Sequence, residues 1–160
     1  MAENQIQKKP ARHKVLVELY KGYIYGTLPK AIVAGKTTFL CHLTWAVAKA
    51  IGATTMRIYV STRMLKHLYD SRPAEEFIFI IENLHTVVKY PDQIYENKDS
   101  KRGDLCFVKE LKGKRYIASM EMPKEEGKKI FVATAFRLRK ENYLANYKLL
   151  WSWRDDNSSS

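Results

Sequence analysis

LCFVKELKGKRYIASMEMPKEEGKKIFVATAF, residues 105 to 136, decides how this chain folds. It holds three apolar runs, LCFVKEL, RYIASMEM and IFVATAF, each rich in β-branched or aromatic residues, with KGK and PKEEGKK between them. Short runs of this kind joined by glycine-containing turns pair as antiparallel neighbours, so the spacing predicts a β-meander. Working upstream, DQIYE (92–96) reads as a strand fragment and MRIYV (56–60) as a short strand. Between them, Ser61-Thr62 offers an N-cap to a helix in RMLKHLYD. A second helix begins near Ala74, carries Phe77 or Ile78, Ile81, Leu84 or His85 and Val88 on one stripe, and ends before Pro91.

The flanks are read by the same rules. VLVELYKGYIY (15–25) is rich in β-branched and aromatic types around Lys21-Gly22 and suggests a strand or short hairpin. AIVAGKTTFL (31–40) resembles a phosphate-cradling loop at first sight. That loop needs a glycine five residues before the Gly-Lys-Thr, where this chain has Lys30, so a plain loop leading to a helix cap is expected. From Thr38, Phe39, Leu43, Val47 and Ile51 recur at helical spacing and Gly52 supplies a stop. Asn142 starts a terminal helix with Tyr143, Tyr147, Leu150 and Trp151 on one side. The expected fold is therefore α+β: an N-terminal strand and helices packed on a mostly antiparallel four-stranded sheet, with a C-terminal helix. Residues 1–13 read as a flexible basic lead, 14–154 as a single domain, and 155–160 as a disordered tail.

The chain has 160 residues and a formal net charge of +11. The excess is local: residues 98–154 carry fifteen Lys or Arg against seven acids, whereas residues 41–97 carry six against six. A regional positive surplus is the footprint of a polyanion-binding surface, and aromatic residues in the same third can stack on bases. RNA is the expected partner. No apolar run approaches the ~20 residues of a membrane span, and MAENQIQKKP lacks an apolar signal core, so a cytoplasmic protein with no membrane partner is expected. Cys41, in the predicted helix, and Cys106, in a predicted strand, suit small apolar roles rather than a disulfide.

The four histidines, His13, His42, His67 and His85, form no metal-ligand spacing and no cluster of acids joins them, so neither a metal nor a cofactor is expected. RNA can be cut without a metal, because its own 2′-hydroxyl attacks the adjacent phosphate. The protein has only to move protons and hold cations near the phosphorane charge. His67, beside Lys66 just past a strand-to-helix junction, is the histidine best placed for this; its plain alternative is an exposed helical residue. Thr134 interrupts an apolar strand, and Arg137 points to the opposite sheet face if that strand stays regular. Lys109 and Tyr116 stand on neighbouring strands, with a simple surface role as the alternative for both.

The order IYVST, LKH, an apolar helix ending in YPDQIYENK, then LCFVK, RYIASME, FVATAF and a Tyr-rich tail resembles phage- and mobile-element-borne domains grouped with the barnase, EndoU, colicin and RelE nucleases. The resemblance spans roughly residues 55–150. It implies helices before a four-stranded antiparallel sheet and metal-independent RNase activity, often that of a toxin, with catalytic groups drawn from the sheet and the preceding helix. It carries a role onto His67, Lys66 and Thr134, and less directly onto Lys109 and Arg137. Lys112, Lys114, Arg115, Tyr116, Arg139 and Lys140 are the expected nucleic-acid contacts. The activity expected is endonucleolytic cleavage of RNA, such as tRNA, with an antitoxin or host protein as a further partner. Two rivals explain the same charge: a non-enzymatic phage-type protein that binds nucleic acid or a host nucleoprotein, and an inactive nuclease fold acting as an inhibitor or structural component.

Overall fold

The structure is a computed structural model that describes residues 12–97, 103–123, 125 and 129–154. The expected disordered tail and nearly all of the basic lead lie outside the described residues. In chain order the elements are α1 (Arg12–Tyr23), β1 (Thr37–His42), α2 (Trp45–Ile51), β2 (Arg57–Ser61), α3 (Thr62–Ser71), α4 (Ala74–Lys89), β3 (Gln93–Glu96), β4 (Leu105–Leu111), β5 (Lys114–Glu121), β6 (Ile130–Leu138) and β7 (Leu149–Ser152). The class is α+β, but the sheet has seven strands, ordered β1-β2-β6-β5-β4-β3-β7, and it is mixed because β2 and β6 run parallel. The four-stranded antiparallel sheet expected from the sequence is corrected on both counts, and three of the flanking elements change type.

The N-terminal strand or hairpin is the helix α1. Leu16, Tyr20 and Ile24 recur four residues apart; Leu16 and Ile24 are fully buried, and the Tyr20 ring meets Phe77 of α4 at 5.1 Å. Packing on α4 overrides the weak strand preference of Val15 and Val17. The helix expected from Thr38 is instead the strand β1, followed by a short helix capped by Thr44, whose hydroxyl accepts from the Val47 N–H. A bulge between Phe39 and Cys41 buries both Leu40 and Cys41, and this break in strand alternation imitates helical spacing. Gly52 does end that helix, in the left-handed conformation.

The expected C-terminal helix is replaced by turns through residues 141–146 and by β7. A free helix at a chain end is marginal, whereas pairing with β3 satisfies backbone groups at a sheet edge.

The central reading survives. β2, α3, α4 and β3 to β6 stand where the patterns place them; Ser61 caps α3 by accepting from Met64 N–H, and Lys112-Gly113, both at positive φ, form the tight β4–β5 hairpin turn. The inner face of the sheet packs against α1, α3 and α4 around Phe107, Ala118, Met120, Ile58 and Phe77. The outer face carries a smaller cluster in which Leu144, from the C-terminal turns, covers Cys106, Val108 and Ile117. Both cysteines are buried and neither is in a disulfide, and burial pushes the Cys106 thiol up to about 11. No described helix is long and apolar enough to cross a membrane.

Candidate active site

β6 pairs with β5 along its length but with β2 only at Ile130 and Phe131. Among the described residues no strand pairs with its other edge beyond Phe131, and the α3–α4 junction takes that place. Arg72, the C-cap of α3, donates from Nε to the Ala135 carbonyl at 3.0 Å and from Nη2 to the Thr134 hydroxyl at 3.1 Å. Glu76, in the first turn of α4, accepts the Arg137 N–H at 3.2 Å and is bonded by the Arg139 guanidinium. Arg72 and Glu76 approach each other at 3.8 Å. Two side chains four residues apart thus close the edge of a strand, satisfying backbone groups that would otherwise be orphaned.

Electrostatically the junction is not neutral. The Arg72 and Arg139 guanidiniums approach the buried carboxylate of Glu76, which also accepts the Arg137 main-chain N–H, so positive charge exceeds negative in this contact set. The Arg139 side chain is 52% exposed, and the Arg72 guanidinium lies 5.8 Å from the Phe136 ring centroid on the outer face. Two guanidiniums there are oriented by protein contacts, an arrangement that matches bidentate recognition of an anion.

His67 is half-buried on α3, one turn ahead of this junction. The Ser71 hydroxyl donates to the His67 carbonyl at 2.5 Å and accepts from Arg72 Nη1 at 3.4 Å. A continuous path therefore links the turn bearing the imidazole to Thr134: His67, Ser71, Arg72, Thr134. Thr134 pairs with Ser119 and faces outward, while Arg137 pairs with Tyr116 and faces the helices. The two do lie on opposite faces, because the bulge in β6 falls before Thr134 and the strand is regular after it.

The remaining candidates scatter. Lys66 is 6% exposed; its ammonium donates to the Leu28 carbonyl and to Asp70, both at 2.7 Å. That hydrogen bond holds the Asp70 carboxyl below its usual range, and the other Asp70 oxygen accepts from Lys30 N–H. With Tyr69, whose hydroxyl accepts from Gly26 N–H, these residues clamp the loop 24–36 to α3. Lys109 donates to the Tyr90 carbonyl at 2.7 Å, tying β4 to the C-terminal end of α4. Tyr116 is 7% exposed and stacked on Phe79 at 4.8 Å, so its ring is core. Lys112 sits at the hairpin turn with its ammonium 5.8 Å from Phe79, and Lys114 and Lys140 are exposed. Arg115 lines an open hollow of about 650 Å³ with Asp92, Glu110 and Trp153, well along the sheet from Thr134. Arg72 was missed by the sequence reading; its only visible trace is the four-residue spacing from Arg72 to Glu76 across Pro73.

The family described as phage-Barnase-EndoU-ColicinE5/D-RelE like nuclease 3 matches residues 42–145. The chain belongs to this family. Curated proteins and solved structures give no match. The nuclease-family region takes in α2 to α4 and the strands β2 to β6, including His67, Arg72, Glu76, Thr134 and Arg139. It leaves out α1, almost all of β1 and all of β7, so both edge strands of the sheet are additions to the matched part.

Proposed function

We propose that the chain is a metal-independent endoribonuclease that cuts RNA, such as tRNA, by attack of the 2′-hydroxyl on the neighbouring phosphorus. The 2′-oxygen forms a bond to phosphorus while the bond to the 5′-oxygen breaks, leaving a 2′,3′-cyclic phosphate and a 5′-hydroxyl end. His67 takes the 2′-hydroxyl proton, and the resulting imidazolium is the acid that can return a proton to the departing 5′-oxygen. Arg72 and Arg139 carry the phosphorane charge, with Arg137 adding to the field from behind the strand. Thr134, itself buried, positions the phosphate by fixing the Arg72 guanidinium. Lys66 and Lys109 are assigned to holding the scaffold, because their ammonium groups are engaged by Asp70 and Leu28 and by Tyr90.

The observation that supports this reading most is the Arg72–Thr134 contact at 3.1 Å, which brings the end of the His67 helix onto the sheet inside the nuclease-family region. The test is incubation of total RNA with the protein in EDTA, with mapping of the new ends. Wild type should yield 5′-hydroxyl ends and His67→Ala should lose them while still binding RNA. Undiminished cleavage by His67→Ala removes the assignment, and RNA binding without cleavage by wild type favours the binding-only rival.

A further inference from the structure

Three aromatic rings stand in line across three adjacent strands of the outer face, at a place the sequence reading did not single out. Phe39 of β1 pairs with Tyr59 of β2, and Tyr59 pairs with Phe131 of β6. Their neighbours Ile58 and Ile130 point the other way and are 0% and 1% exposed, which puts the rings on the side away from the helices. The ring centroids are 5.8 Å and 6.1 Å apart, and all three side chains are half-buried.

Cations lie over these rings. The Arg57 guanidinium is 4.9 Å from the Phe39 centroid and 5.8 Å from that of Tyr59, and the Lys129 ammonium is 4.5 Å from Tyr59. Arg57 and Lys129 are exposed, so a ring they can cover has a π-face turned toward solvent. The other half of the outer face is different, since Leu144 and Tyr147 pack over it. Half-buried rings bordered by Lys and Arg are the combination that binds single-stranded nucleic acid: bases stack on the rings and the cations take the phosphates.

Position adds to the chemistry. Phe131 lies three residues before Thr134 on the same strand, a separation of about 10 Å, so the row leads along β6 to the Arg72–Thr134 junction. Phe39 belongs to β1, which lies almost wholly outside the nuclease-family region, and its pairing with β2 extends the row by one ring. We infer that Phe39, Tyr59 and Phe131, with Arg57 and Lys129, form a stacking surface for unpaired bases of the RNA next to the phosphodiester cut at the Arg72–Thr134 junction. This names the substrate as single-stranded or locally unpaired RNA, and it rests on the ribonuclease reading for what happens at the adjacent phosphate.

The probe is a fluorescent 12-nucleotide single-stranded RNA with every 2′-oxygen methylated, which cannot undergo 2′-hydroxyl attack, compared with the same strand in a duplex. Tyr59→Leu and Phe131→Leu keep an apolar side chain and remove the π-face. Each should weaken single-strand binding by roughly 5- to 100-fold and leave duplex binding within about twofold. Arg57→Gln should flatten the salt dependence of single-strand binding. A second measurement needs no variant: photocrosslinking of a 4-thiouridine strand to wild type should label peptides containing Tyr59 or Phe131. Unchanged single-strand affinity in folded Tyr59→Leu, or crosslinks confined to other surfaces, overturns the inference. Because the probe cannot be cleaved, a failure of the nuclease reading leaves this result intact, and the reverse also holds.

Discussion

Lys109, Tyr116 and Arg137 stand in one row across β4, β5 and β6 on the inner face of the sheet, and Cys106, Ser119 and Thr134 stand in a row on the outer face. The inner row has the more reactive-looking residue types, yet its Lys109 ties down α4 and its Tyr116 is stacked on Phe79. Burial raises the Tyr116 phenol above its usual range. In the outer row Thr134, itself buried, meets the end of α3 through Arg72, and Phe131 of the Phe39–Tyr59–Phe131 line lies three residues earlier on the same strand. Strand alternation thus turns Lys109, Tyr116 and Arg137 toward the helices and leaves Tyr59 and Phe131, both half-buried, on the other face.

The largest effect that bears on this contrast is catalytic. His67→Ala and Arg72→Ala should each lower the rate of RNA cleavage by at least about 100-fold, with far-ultraviolet circular dichroism unchanged in His67→Ala. Lys109→Ala should retain cleavage, and a collapse there instead would move the active centre to the inner face. Next comes Glu76→Ala, which leaves the guanidiniums at the junction without their buried carboxylate. A loss of about 3–5 kcal/mol is expected in urea unfolding, and a loss under 1 kcal/mol would mean that the strand edge is closed in some other way. Tyr116→Ala should cost roughly 3 kcal/mol of stability and leave single-strand RNA affinity unchanged, the opposite of Tyr59→Leu. Should Tyr116→Ala weaken RNA binding at full stability, the partition between faces is wrong.

The smallest effect is on pH. The Asp70 carboxyl is held below its ordinary 3.8, so in that region the unfolded chain binds more protons than the folded one. Its contribution is present above about pH 4 and fades as pH falls through the lowered value. Amide exchange at Gly26 and Lys30, corrected for intrinsic rates, should therefore lose protection between pH 5 and pH 3. Equal protection at both would show that the loop 24–36 does not depend on the Lys66–Asp70 pair.

How much was readable follows the range of the forces involved. The Ser61 cap, the Gly52 stop, the stripe of α4 and the Lys112-Gly113 turn are local signals, settled by residues within a few positions of one another, and the sequence carries them openly. The strands β2 to β6 and the nuclease family were legible for the same reason, because their order and spacing lie in one continuous stretch. Arg72 was not legible: its contacts are with Ala135 and Thr134, more than sixty residues away. Lys66 was read as a catalytic neighbour of His67, whereas Leu28 and Asp70 enclose it.

The chain's own pattern was enough to determine a basic α+β domain with a β-meander after two helices, since period and turn chemistry act within a few residues. Tertiary structure alone decided that residues 12–23 are a helix and that 37–42 and 149–152 are edge strands. Those outcomes hinge on burial against α4 and on backbone groups at sheet edges seeking partners, and neither partner is written in the segment that responds to it.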